Sequence, residues 1–287
     1  MEDRMSANCI DQGYFLASDE ELGRLEVQAQ VWQPDAEAML DRIGVGSGSA
    51  CADMGCGGAG ILGPMSRRAG DSGSVLGFDS DPDLLDSAAA YREAEGLSNV
   101  SLRQGDVTQP DLPQGAFDLV HSRFLLPHVG SPVDVLANKV ALAKPGGVVA
   151  SQENDHSSWN FYPHCPEWDE LLDLLEQTFA LRGDINIGRR TFHMFRSCGL
   201  EDVQIRTSVQ ALQDRHPYMR MPLIGARAMR ERMLDAGLTT ARELDRLISG
   251  VEQAVNDPDR VQFTFTLVQV WGSKPLTLQS RGSPTWN

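Results

Sequence analysis

An α/β domain built on a parallel sheet is the fold class that this sequence predicts, on three observations. Between residues 50 and 152 short apolar runs alternate with helix-patterned stretches, the signature of a βαβ series. The first of these runs ends in a glycine cluster, Ala52-Asp53-Met54-Gly55-Cys56-Gly57-Gly58-Ala59-Gly60, where a strand would hand over to a helix. The chain has 287 residues, 41% hydrophobic and 23% charged, an ordinary globular composition long enough to bury one large core.

In chain order, residues 19–32 read as an amphipathic helix with Leu22, Leu25, Ala29 and Trp32 on one side and Ser18-Asp19-Glu20-Glu21 as cap and first-turn acids. Strands are expected over 49–54, 74–79, 100–104, 117–121 and 147–152. The clearest intervening helices are 82–95 and 133–143, the second stopped by Lys144-Pro145-Gly146-Gly147. Residues 168–181 form a further helix, with Leu171, Leu172, Leu175 and Phe179 at helical spacing. Two β-like runs, 203–212 and 261–271, close the chain around a helical region at 221–255. Arg227, Arg230, Arg232, Arg242 and Arg246 lie in that region, either as an anion or partner surface or, since acids are interleaved with them, as a solvated helix face. The expected organisation is a cap over 1–34, a ligand-binding core over 35–155, a C-terminal half over 156–274 that covers the substrate, and a disordered tail over 275–287.

Lys and Arg number 25 against 40 Asp and Glu, a net charge of −15. Such a surface repels phosphate backbones and anionic lipid, so a nucleic-acid or membrane-surface partner is disfavoured. No apolar run approaches the roughly 20 residues of a membrane span, and the first residues carry acids where a signal peptide needs an apolar core, so a cytoplasmic location is expected. Cys9, Cys51, Cys56, Cys165 and Cys198 show neither CxxC nor paired Cys/His spacing, which points to reduced thiols without zinc.

Gly55-x-Gly57-x-x-Gly60 satisfies a dinucleotide fingerprint, and Asp79 ends the second strand where a ribose-binding acid belongs. Asp53, two residues before the first glycine, separates two ligand classes. A carboxylate beside a pyrophosphate adds like-charge repulsion, whereas a cationic ligand would gain from it. S-adenosylmethionine, with a sulfonium, an ammonium and no phosphate, is such a ligand. A nicotinamide-dependent oxidoreductase stays open as the rival on the glycine spacing.

Five motifs in order resemble the class I S-adenosylmethionine-dependent methyltransferases over about residues 14–275: Asp53-x-Gly55-Cys56-Gly57, Gly77-Phe78-Asp79, Gln104-Gly105-Asp106-Val107, Phe117-Asp118-Leu119-Val120 with His121-Ser122-Arg123, and Leu142-Ala143-Lys144-Pro145-Gly146-Gly147. The resemblance implies a Rossmann-like, seven-stranded, mostly parallel sheet with helices on both faces, an antiparallel last strand, a helical N-terminal cap and a helical insertion before the last strand. It implies S-adenosyl-L-methionine as cofactor and S-adenosyl-L-homocysteine as product. Asp79 would hold the ribose hydroxyls, while Asp106 and the Val107 amide would meet the adenine. Cofactor contacts would come from Tyr14, Gln28, Asp53, Gly55, Cys56, Gly57, Asp79, Ser80, Asp106, Val107, His121 and Ser122. The segment from Tyr14-Phe15-Leu16 to Gln30 is similar to the leading segment of enzymes that methylate small metabolites, where an aromatic residue covers the site and a helix Gln or Arg, here Gln28 or Arg24, reaches the methionyl carboxylate. Two departures stand out: Ala59 replaces the third glycine of the first motif, and Gly63-Pro64 enters the following helix, where Pro is tolerated only in the first turn.

Methyl transfer is an in-line displacement that depends mainly on positioning, and it needs a general base only where the acceptor atom is protonated. Open α/β sheets bind ligands beyond the carboxyl ends of their strands. Arg123, Phe124 and His128 after the fourth strand, together with Tyr14, Phe15, Trp159 and Phe161, are therefore the substrate-binding candidates. Glu153 and His156 after the fifth are the base candidates. Glu153 and Asp155 lack a third ligand, so no metal is expected. The segment after strand four, His121 to His128, lacks the Asn/Asp-Pro-Pro-aromatic pattern of amino-methylating DNA enzymes, and no paired-glutamate hairpin of protein arginine methyltransferases is recognisable. A small, partly apolar metabolite of specialised metabolism, methylated on O, N or C, is the remaining substrate class. A protein that binds the cofactor without methylating would carry the same motifs. Residues 19–32 and 221–255 are each candidates for a lid or for the surface of a homodimer or higher homo-oligomer.

Overall fold

A computed structural model describes residues 19–58 and 60–276, with side chains from residue 23 onward. Helix α1 (Asp19–Ile43) leads into strand β1 (Ala50–Met54), then α2 (Leu62–Ala69), β2 (Ser74–Asp79), α3 (Pro82–Ala94), β3 (Val100–Gln104), β4 (Phe117–Arg123), α4 (Pro132–Leu142) and β5 (Ala143–Asp155). There follow β6 (Asn160–Tyr162), α5 (Pro166–Ala180), α6 (Gly188–Ser197), β7 (Glu201–Ser208), β8 (Ala211–Leu212), α7 (Met221–Ala228), α8 (Arg230–Asp235), α9 (Ala241–Asn256), β9 (Val261–Phe263) and β10 (Thr266–Ser273). The main sheet has seven strands in the order β3-β2-β1-β4-β5-β10-β7, and β10 runs antiparallel to both of its neighbours. One face packs on α4 and α6 through Leu136, Met194 and Phe195, the other on α1, α2 and α3 through Met39, Leu62 and Ala88. A third core, rich in aromatics, joins Trp32, Trp159, Trp168, Tyr218 and Phe265 beneath α5, α7 and α9.

Local chemistry explains most boundaries. Asp81 caps α3 by accepting from the Asp83 and Leu84 amides, with Pro82 at the first helical position. Pro64 sits in the first turn of α2, where its missing N–H costs nothing. The α9 helix buries Leu244, Leu247, Val251, Ala254 and Val255 at three- and four-residue spacing, and Thr240 caps it.

Three expectations need correction. The first helix does not stop at Trp32 but runs through Pro34 to Ile43. The completely buried Trp32, Ala36, Met39 and Leu40 hold it across the proline, and the Gln269 side chain donates to the Asp35 carbonyl at 2.9 Å. Its buried stripe also includes Arg24 and Gln28 rather than Leu25 and Ala29, which are only partly covered. Second, each closing β-like run breaks in two and serves two sheets: β8 and β9 join β6 in a separate three-stranded sheet. The break is made at Thr264, which exchanges bonds with Gln210 through its backbone N–H (3.0 Å) and its hydroxyl (2.9 Å), and Phe265 then enters the aromatic core. Third, α6 lies where no helix was expected. No described helix is long and apolar enough to cross a membrane.

Candidate active site

A large cleft opens at the carboxyl ends of β1, β2 and β4 and is bounded on one side by α1. The β1 to α2 turn lines it with Asp53, Gly55, Cys56, Gly57 and Gly60. Gly55, Gly57 and Gly60 all have positive φ, which favours glycine. A Cβ on Gly60 would lie 2.4 Å from Asp53 Oδ2 and 2.7 Å from the Cys56 carbonyl, while at Gly57 it would meet nothing within 4 Å. The backbone at Gly57 is thus bare toward open space.

The acids that edge the cleft hold the loop. Asp79 Oδ2 accepts from the Gly57 amide at 2.8 Å and Oδ1 from the Asp81 amide at 3.1 Å. Burial raises the pKa of Asp79, and those two amides oppose the rise. An N–H that a pyrophosphate would need is already given to a carboxylate, which favours a cationic, hydroxyl-bearing ligand over a dinucleotide. Ser80, Asp106 and Val107 line the same cleft, and Asp106 accepts from the Thr108 amide at 2.7 Å. The acids and open backbone that S-adenosylmethionine requires are therefore present, with Asp79 and Asp106 at the ends of β2 and β3.

Beside the cleft lies a second, smaller cavity with mostly apolar walls from α5, α7 and the segments after β4 and β5. Gln28, Phe124, Pro127, His128 and Phe179 line both spaces. Phe124 holds φ +54°, a strained setting for a bulky side chain, with its ring edge-on to Trp32 and Phe265. Among the described residues, His128 is the one titratable side chain in this shared wall. Burial, with the Arg24 charge adding to it, pushes its pKa down to about 3, so the ring is neutral. His156 lines the apolar cavity alone, stacked on Phe265 at 5.1 Å and edge-on to Trp159 at 4.8 Å, and burial lowers its pKa also to about 3. Arg24, which bonds Gln28, lines the apolar cavity too.

Several expected site residues sit elsewhere. His121 and Ser122 are completely buried and line neither space. His121 Nδ1 meets Asp53 Oδ1 at 2.7 Å and its Nε2 meets the Gln152 amide at 2.9 Å, while Gln152 accepts from Gln269 at 3.0 Å. This relay fixes a neutral Nδ1–H tautomer, and burial lowers the pKa of His121 accordingly. Asp53 is thereby anchored from behind, and only 1% of it is exposed. Ser122 accepts from Lys139 Nζ at 2.6 Å, which also donates to Ser151 and the Ala150 carbonyl. Glu153 is wholly buried under the strand ends and reaches neither space, because its place on β5 turns it toward Lys139. Burial pushes Glu153 up to about 8 and Lys139 down to about 7, each opposed by the charge of the other. Phe161 packs on Trp168 at 4.6 Å in the aromatic core and not in the cavity. Asp155 is tied by both oxygens to Arg189 at 2.6 Å. Arg123 faces the cleft and donates to the Gly60 carbonyl at 3.2 Å. Tyr14 and Phe15 lie outside the described residues. The 221–255 arginines mostly enter surface ion pairs, such as Arg227 with Glu252 and Arg230 with Asp245, while Arg232 lines the cleft. The cavity residues Ile185, Met221, Met229 and Phe265 were not singled out, and Phe179 was read only as part of a helix stripe, because apolar residues far along the chain look the same whether they face a cavity or a core.

Comparison with known proteins points to a methyltransferase family. A methyltransferase domain family model matches residues 51–147. The chain is 30% identical over 191 residues to demethylmenaquinone methyltransferase of Geobacillus stearothermophilus, covering 61% of this chain and 79% of that one. It is 33% identical over 121 residues to nocamycin O-methyltransferase of Saccharothrix syringae, covering 41% and 42%. Several curated relatives are longer in proportion, and the chain spans from 34% to 57% of their length. Among solved structures, phosphoethanolamine N-methyltransferase 2 of Haemonchus contortus aligns at a TM-score of 0.56 with 15% identity, over 90% of this chain and 58% of that one. A geranyl diphosphate methyltransferase aligns at 0.51 with 17% identity, over 84% and 78%. At these identities the structural likeness bears on the fold.

Proposed function

The chain belongs to the class I S-adenosylmethionine-dependent methyltransferases, and from that premise we propose that it transfers a methyl group to an O, N or C atom of a small, partly apolar metabolite. The observation that carries this reading is the wall of Gln28, Phe124, Pro127, His128 and Phe179 common to the acid-edged cleft and the apolar cavity. A donor in the one and an acceptor in the other would meet there. When bound, S-adenosylmethionine supplies a methyl carbon already activated by its sulfonium, so the protein's task is alignment and exclusion of water.

Asp79 is assigned to the ribose hydroxyls, Asp106 and Val107 to the adenine, and Gln28 with the glycine loop to the methionyl part. Ser80 and Cys56 complete the lining of the cofactor cleft, and Tyr14 and Phe15 are assigned to cover the site. His121 acts through Asp53, as a positioning residue. Phe124 separates the two spaces, and its strained backbone holds the ring between them. His128 replaces Glu153 as the side chain that meets the acceptor atom, because it stands in the shared wall. Burial that lowers its basicity leaves a neutral imidazole, which orients a protonated acceptor by hydrogen bonding. His156 and Trp159 then form the far wall for the acceptor.

Calorimetry with S-adenosylmethionine and S-adenosylhomocysteine tests the reading. The expected result is micromolar-range binding that Asp79→Ala and Asp106→Ala each weaken, with labelled methyl appearing in a product. Unchanged affinity in both variants would refute the site, and NADH fluorescence enhancement would favour the oxidoreductase instead. Tight cofactor binding without methyl transfer to any acceptor would identify a cofactor-retaining protein that does not methylate.

A further inference from the structure

The chain carries a net charge of −15, and acids are frequent along the cofactor cleft. The adjoining apolar cavity differs: among the described residues none of its walls comes from Asp or Glu. Its polar members are Arg24, Gln28, Asn154, two imidazoles and Trp159. An ammonium group entering this space would leave water without a carboxylate to meet it and with a guanidinium in the wall, a costly desolvation.

Trp159 supplies an independent second observation. It lines the cavity, it is 5% exposed, and its indole N–H has no hydrogen-bond acceptor within the structure. A buried donor left unmade costs about 1–3 kcal/mol, so such groups in native proteins commonly await a partner. The neighbouring amide of Asn154 is already committed, donating to the Ile185 carbonyl at 2.7 Å. The imidazoles, held neutral by burial, add no positive charge that would call for an anion.

Resting on the methyltransferase reading of the shared wall, we propose that the cavity selects an apolar acceptor molecule without positive charge that presents a hydrogen-bond-accepting oxygen to the Trp159 indole, and that it rejects amines. The methylated atom would then belong to an oxygen-bearing hydrocarbon skeleton, held at one end by Trp159 and presented at the other to His128.

Equilibrium dialysis of the full chain saturated with S-adenosylhomocysteine, using three probes on one skeleton, tests this. The probes are 2-acetylnaphthalene, 2-ethylnaphthalene and 2-naphthylmethylammonium. The ketone is expected to bind at least about tenfold more tightly than the ammonium. Trp159→Phe, which keeps an aromatic ring and removes the N–H, is expected to weaken the ketone about tenfold while leaving the hydrocarbon within about twofold, which also shows an intact cavity. Equal binding of ketone and ammonium, an equal loss for ketone and hydrocarbon in Trp159→Phe, or no probe bound to protein that does hold S-adenosylhomocysteine would each overturn the proposal. Failure to bind S-adenosylhomocysteine at all would overturn the methyltransferase reading itself.

Discussion

Replacing Asp79 by Asn removes one charge and one acceptor oxygen from the cleft edge while keeping the side chain's volume. In the wild type the carboxylate accepts from the Gly57 amide at 2.8 Å and the Asp81 amide at 3.1 Å, and each oxygen keeps a second lone pair for a ligand hydroxyl. Hydrogen bonds to a charged acceptor contribute about 1.5–3 kcal/mol each, so two ribose hydroxyls draw about 3–6 kcal/mol from it. Asn retains one neutral acceptor, which leaves a loss of about 2–4 kcal/mol, or roughly 30- to 1,000-fold in affinity. Its NH₂ also faces one of the two backbone donors, at a cost of about 1–3 kcal/mol in stability. Calorimetric titration with S-adenosylhomocysteine reads the first effect and urea denaturation the second. Because burial raises the pKa of Asp79, wild-type affinity should start to fall at a higher pH on acidification than an ordinary carboxylate would give. Affinity in Asp79→Asn within about threefold of wild type would refute the placement of the ribose.

Gly60→Ala forces a Cβ to within 2.4 Å of Asp53 Oδ2 at φ +50°, so it should cost about 2–4 kcal/mol of stability; Gly57→Ala, at φ +58° but in open space, should cost only about 1 kcal/mol. Urea denaturation of the pair checks this, and equal losses would contradict it. His128→Ala should lower kcat/KM for a protonated acceptor by about 5- to 10-fold, the worth of one hydrogen bond, without changing S-adenosylhomocysteine affinity, and unchanged kinetics would show that His128 does not meet the acceptor. The Glu153 pKa rises from 4.5 to about 8 in the folded state, so its contribution is complete below pH 4.5 and is lost as the pH climbs through 8. Glu153→Gln should therefore gain stability on the wild type in melts run from pH 5 to 8, whereas a constant difference would show that Glu153 stays ionised.

The parallel strands and the cofactor cleft were legible because their signals are local. A glycine that needs positive φ, an acid at a strand end and a proline at a helix start each act within a few residues, as Gly57, Asp79 and Pro82 do here. The acceptor side was less legible because it is assembled from distant segments. Glu153 and Phe161 lie next to His156 and Trp159 in sequence, yet strand alternation and the turn after β5 send one pair into the interior and the other to the cavity. The end of α1 was misplaced for a related reason, since burial of Trp32, Ala36 and Met39 outweighs the local effect of Pro34. The break at Thr264 depends on Gln210, more than fifty residues earlier, and no local pattern shows it.

A crystal structure of the full chain with S-adenosylhomocysteine tests the division of labour between the two spaces most directly. The expected complex has the ribose on Asp79, the adenine beside Asp106 and Val107, and the sulfur facing the wall of Gln28, Phe124 and His128, open to the apolar cavity. A ligand whose ribose lies away from Asp79, or whose sulfur points away from that wall, would contradict it.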